Sequence, residues 1–214
     1  PVHVGDILET CTQKHDELPD APENQEKKKY KGRVVYGGHR VRDQTGQAAL
    51  FQEYHSCPAG VTSSRACDFY GMLPGHDGEQ SDADMAYCQS YFKGTPTFVR
   101  LPRHRWPKEW DGKGYYDPVC PLELALYGHT ESGYYWEEHC DQKLRLEGFV
   151  PITEWPGSYW HPKHKAMVIV HVDDFKVSAP KSLPGVKDNM KATWDFIRKH
   201  IEICDPEPPG MFLG

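Results

Sequence analysis

No run of about 18 apolar residues occurs in the chain, which excludes a helical membrane span by sequence. No secretory leader pattern opens it, and its first residue is Pro1 rather than methionine, so the sequence reads as a fragment. No internal repeat appears, which excludes a repeat architecture. Paired cysteines are lacking too. The seven cysteines, at 11, 57, 67, 88, 120, 140 and 204, are odd in number and none stands in a CxxC spacing. A zinc ribbon is therefore excluded, and scattered reduced thiols of an intracellular protein are expected. Among the twelve histidines the tightest pair, His161-Pro-Lys-His164, reads as a surface turn rather than a ligand pair. An excess of positive charge is missing as well. The net charge is −6 and the isoelectric point about 6.1. That balance excludes a protein whose whole surface grips nucleic acid, and leaves room for a local basic groove.

What is present is globular. The 214 residues are 38% hydrophobic and 26% charged, enough for one large domain or two small ones with a buried core. The 19 glycines and 18 prolines announce many turns. Residues 1–26 are polar and acidic and read as a loosely ordered lead-in. The run Lys27-Lys28-Lys29-Tyr30-Lys31-Gly32-Arg33 reverses the charge, either as a solvated loop end or as a phosphate contact. Val34, Val35 and Tyr36, stopped by Gly37-Gly38, read as a short strand. A helix is expected around Ser63–Tyr70, and a loop through Gly71, Pro74, Gly75 and Gly78. A second basic and aromatic stretch, RLPRHRWPKEW, covers 100–110 and its prolines forbid a long helix. Trp136, Cys140 and Leu144 repeat at i, i+4 and i+8, so a helix is expected over Ser132–Phe149 with Gly148 as its stop. Val186, Met190, Trp194, Ile197 and Ile201 mark another amphipathic helix. Strands and helices alternate irregularly, and the expected class is α+β.

The stretch MVIVHVDDFKVS, 167–178, places Asp173 and Asp174 between two apolar runs. A strand–turn–strand would hold both carboxylates at its tip. The plain reading is a hairpin turn, since aspartate favours turns. The chemical reading is a divalent cation site, because like charges held close raise each other's pKa unless a cation relieves them. Asp82, in the segment SDADMAY with Asp84 two residues on, supplies a third carboxylate. Should Asp82 open a strand beside the hairpin, three carboxylates could serve two metal ions of the kind that stabilise attacking and leaving oxygens in phosphoryl transfer.

Taken in order, several motifs together resemble the reverse transcriptase domain of Ty1/copia-type retrotransposons. They are Asp82-x-x-x-Ala86-Tyr87, then Leu126-Tyr127-Gly128…Ser132…Trp136, then His171-Val172-Asp173-Asp174. Further matches are Lys29–Val35, Phe98-Val99-Arg100-Leu101-Pro102 and Met211-Phe212-Leu213-Gly214. The likeness spans about 29–214. It implies a right-hand polymerase with fingers and palm, an antiparallel palm sheet backed by helices, and no thumb within these residues. The implied layout is a lead-in at 1–28, fingers at 29–80 and 92–131, a palm strand at 81–91, and the rest of the palm at 132–214. Asp82, Asp173 and Asp174 would bind two Mg2+ ions, or Mn2+ in their place. Lys31 and Arg33 would contact the incoming triphosphate. Tyr87 would stack under the sugar and exclude a 2′-hydroxyl, its alternative being an ordinary core aromatic. Gly128 and Ser132 would lie in the loop under nucleotide and template, their alternative being a plain turn before a helix. His171 would pack against the primer, and Trp136 would be core.

The implied partners are an RNA or DNA template with its primer, dNTPs, and integrase, protease and RNase H segments of one polyprotein, without a membrane. The implied location is the cytoplasm or virus-like particles. The basic stretches 27–33 and 100–108 are expected to form phosphate-facing walls. Two departures bear on activity. His171 replaces the family's tyrosine, and Thr130-Glu131-Ser132-Gly133-Tyr134 replaces Lys-Gln-Ser-Pro-Arg, losing two cations and gaining a carboxylate. An inactive nucleic-acid-binding remnant and a two-metal nuclease or phosphatase are the competing readings.

Overall fold

The computed structural model describes residues 1–25, 28–51, 54 and 56–212. Glu26 and Lys27 of the lead-in and basic run, and Leu213-Gly214 of the last matched motif, lie outside them. In chain order the elements begin with β1 (His3–Gln13), α1 (Pro22–Gln25), β2 (Tyr30–Tyr36), β3 (Arg42–Asp43), α2 (Val61–Gly71), β4 (His76–Asp82), β5 (Thr97–Arg100) and β6 (Val119–Pro121). There follow α3 (Ser132–Leu146), β7 (Val150–Pro151), β8 (Ser158–His161), β9 (Ala166–His171), β10 (Asp174–Pro180) and α4 (Asn189–Arg198). The class is α+β. The chain forms two compact units, each discontinuous in sequence: Pro1–Gln52 with Phe92–Ser132, and Glu53–Tyr91 with Gly133–Gly214. None of the described helices is long and apolar enough to cross a membrane.

The first unit is built on a sheet ordered β2-β1-β5-β6, with β3 also paired to β1. β1 runs antiparallel to β2, from Ile7 opposite Tyr36 to Gln13 opposite Tyr30, and parallel to β5. This corrects the expectation of a loose lead-in at 1–28. Polar composition concealed a strand, because only one end of β1 is buried and the rest stands in water. Tyr36, Val41 and Val99 form the core of this unit.

The second unit carries a sheet ordered β4-β10-β9-β8-β7, antiparallel throughout. One face buries Val168, Val170, Phe175 and Val177 against Trp136, Cys140 and Leu144 of α3 and against Met190, Trp194 and Ile197 of α4. The other face buries Met167 and Ile169 against Ala59 and Cys67. α3 ends in a Schellman arrangement: Gly148 takes φ +89°, its N–H donates to Arg145, and the Phe149 N–H returns to Leu144. Asp188 caps α4 by accepting the Lys191 N–H at 2.9 Å. Val186 lies outside that helix, in a bridge with Leu183. β4 begins before the expected loop has ended and includes Gly78. As an edge strand with few apolar residues it gives little sequence signal. All seven cysteines are free.

Candidate functional site

The hairpin β9–β10 closes with two residues, Val172 and Asp173, between His171 and Asp174, which face each other in register. Val172 has φ +57°. A β-branched residue in the left-handed region is strained, so its surroundings must hold it there. They do so at three points. The Trp136 indole N–H donates to the Val172 carbonyl at 2.6 Å. The Ala83 N–H donates to the Asp173 carbonyl at 2.7 Å. His171 Nδ1 meets the Ala59 carbonyl at 2.9 Å, which makes it the protonated nitrogen.

β4 delivers the third carboxylate. Asp82 ends that strand rather than opening it, and stands directly opposite Asp174 in the antiparallel register. Its carbonyl accepts the Cys204 N–H at 2.9 Å, so its backbone is fixed on both sides. Burial, then the charges of Asp173 and Asp82, then a hydrogen bond with the Asp82 carboxylate push the Asp174 carboxyl up to about 6. His171 opposes that rise. The Asp174 carboxylate therefore ionises against burial and two neighbouring carboxylates.

The donor set suits a hard cation. Magnesium takes one or two protein carboxylates and completes its shell with water and phosphate oxygens. Asp82 and Asp174, with Asp173 adjacent, are the residues that could hold it. Among the described residues no group of three or more His, Cys, Asp or Glu is placed to hold a metal ion.

Tyr87 lies in a 3-10 turn over Ala86–Gln89 and is half-buried against the core around Trp136. Burial raises its hydroxyl pKa, with Asp173 and Glu137 adding to the rise, so it stays neutral. A methyl group added at Gly133 would reach the Tyr87 hydroxyl at 3.9 Å. Glu137 was not singled out in the sequence. It is half-buried, accepts the Cys57 N–H at 2.9 Å, and burial raises its carboxyl pKa while His171 lowers it. Helical periodicity marked its neighbour Trp136 as core, which it is, at 1% exposure. Only the structure shows that the same indole holds the turn.

The remaining candidates belong to the first unit. Lys31 and Arg33 alternate on exposed β2, opposite Thr12 and Thr10. Gly128 has φ +88°, and a Cβ there would overlap the Tyr36 carbonyl, so no other residue fits. Ser132 is fully buried. Its hydroxyl accepts the Leu126 N–H at 3.0 Å and donates to the Leu126 carbonyl at 2.8 Å, closing the 126–132 loop on itself. Glu131 is 2% exposed, so its carboxylate is no surface charge. Arg100 bonds Asp117 and Asp6, and Arg105 bonds Glu9. Those two cations of the expected phosphate wall are already held by carboxylates. The chain matches no protein-family model and no curated protein.

Proposed function

We propose that the second unit is the palm of an RNA-directed DNA polymerase of the Ty1/copia reverse transcriptase type, with the first unit as its fingers. The observation that carries the reading is the register of Asp82 against Asp174, with Asp173 on the strained turn beside them. Asp82 and Asp174, 92 positions apart in the chain, meet there, and a plain hairpin turn gives no reason for an aspartate at the facing position.

When bound, Mg2+ would lower the pKa of the primer 3′-hydroxyl and stabilise the leaving pyrophosphate. The protein's part is placement. Asp82 and Asp174 offer opposed oxygen donors, and three backbone and side-chain hydrogen bonds fix the turn that carries Asp173. Neutral Tyr87 presents a ring and hydroxyl beside Asp173, where it would limit the sugar's 2′ position. Lys31 and Arg33 would draw the triphosphate, and Gly128 would shape its loop rather than touch it.

The test is primer extension on a primed RNA template with dNTPs and Mg2+. Wild-type protein should extend the primer, and Asp173→Asn should lower the rate by at least ~100-fold, the scale of losing a positioned charge in a reacting centre. Extension that persists in Asp173→Asn would remove the aspartates from the chemistry. Tyr87→Ala should admit ribonucleotides that the wild type rejects. The non-catalytic remnant is the second reading, favoured by the loss of the loop cations at 130–134, and absence of extension by the wild type would select it.

A further inference from the structure

We propose that residues 103–116 of the first unit form a stacking platform for single-stranded nucleic acid, separate from the aspartate cluster. The segment opens with two short 3-10 turns, Arg103–Arg105 and Lys108–Trp110, each set by a preceding proline, Pro102 or Pro107, with φ of −56°. The prolines and the turns fix where the rings stand. Trp106 and Trp110 meet edge to face with centroids 5.6 Å apart, and Trp110 meets Tyr115 in the same way at 5.6 Å. The Arg103 guanidinium lies 3.8 Å from the Trp106 ring centre. The Trp106 indole N–H donates to the Leu101 carbonyl at 3.1 Å, tying the row to the end of β5.

This row ends in open rings. Tyr115 is 48% exposed and Tyr116 98% exposed. Neither packs into the core of the unit. Cations are interleaved with the aromatics: Arg103, Lys108 and Lys113 are exposed and make no ion pair among the described residues. Arg105 and His104 are instead held by Glu9. Glu109 and Asp111 are the opposing charges on the segment.

Exposed rings with cations between them match a chain of bases on a phosphate backbone. Bases stack on aromatic faces without sequence preference, and phosphates take the cations. A duplex keeps its bases stacked inside and offers this row nothing. A proline-rich peptide would use the rings but not the lysines, so the charge favours the nucleic acid. The surface does not depend on the polymerase reading, since a non-catalytic chain would retain it.

The test titrates the whole protein with a thymidine homo-oligonucleotide and with an abasic oligomer of equal length and charge, following quenching of tryptophan fluorescence. The thymidine oligomer should bind at least ~5-fold more tightly than the abasic one, the scale of stacking one base. Tyr115→Ala/Tyr116→Ala removes exposed rings and should erase that margin while circular dichroism stays that of the wild type. Trp110→Leu should weaken binding further. Equal binding of the two oligomers, or an unchanged margin in the double tyrosine variant, would overturn the proposal. A proline-rich peptide that quenches where the thymidine oligomer does not would reassign the surface to peptide.

Discussion

Asp174 is held against its own charge. Its carboxyl is pushed up to about 6 in the folded chain, above its ordinary 3.8. A carboxyl raised by folding destabilises the protein above its folded pKa, and the penalty fades as the pH falls through 6 towards 3.8. In chelator, Asp174→Asn should therefore raise stability at pH 7 by ~1 kcal/mol after discounting for partial exposure, and the gain should vanish near pH 4. Urea unfolding at the two pH values measures it. His129 has the opposite sign. Burial and His3 lower it from 6.5 to about 4, and its buried Nε2 has no hydrogen-bond partner among the described residues. The His129 contribution to stability should fall by ~2 kcal/mol as the pH drops from 6.5 to 4, and His129→Gln should remove that part of the pH dependence. At this scale the sequence was legible where chemistry is carried by residue type. Asp173, Asp174 and Asp82 stood out because like charges between apolar runs have few uses. The two roles of Trp136 were not legible, because periodicity reports burial and is silent about where an indole N–H points. Ser132 was legible as a motif residue, yet its hydroxyl is spent within its own loop. His161 and His164 do form a turn, but a covered one, with His161 only 4% exposed and His164 bonded to Asn189 at 2.7 Å.

Among the elements, β10 buries a charge between Phe175 and Val177. Lys176 is 3% exposed and meets both oxygens of Asp68 on α2 at 2.8 and 2.9 Å, with Ser64 at 3.0 Å. Removing one partner of a buried pair strands the other. Asp68→Ala should cost ~3 kcal/mol in thermal or urea unfolding, whereas Lys176→Met/Asp68→Leu should recover most of that loss. A double variant as damaged as the single one would show that the pair itself, rather than the stranded ammonium, governs the site. α3, α4 and the β9–β10 hairpin were readable because each carries one strong period and a chemical stop. β1 and β4 were not. Both are rich in charged and hydroxyl residues, and their pairing is decided by neighbours far along the chain, as in Asp174 opposite Asp82. The 203–207 segment adds to that pairing, with Ile203 bridging Ala83 and Glu207 bridging Gln80.

On the scale of the molecule, two units are threaded by one chain that passes between them after 52, after 91 and after 132. Residues 53–80, expected with the first unit, belong to the second, because α2 packs on β9 and β10. The protein has a net charge of −6, and Arg100 and Arg105 of the basic stretch are already paired to carboxylates. Its affinity for a primed template should fall with added salt, with a shallow log–log slope of two to three phosphates' worth, about −2. The central claim remains that Asp82, Asp173 and Asp174 act together on divalent cations. Its most direct test is Mn2+ binding followed by electron paramagnetic resonance, in which bound ions lose the signal of free ones. Wild-type protein should take up Mn2+ saturably, and Asp82→Asn/Asp174→Asn, folded as the wild type, should bind at least ~10-fold more weakly. Equal uptake by the two proteins would contradict the account.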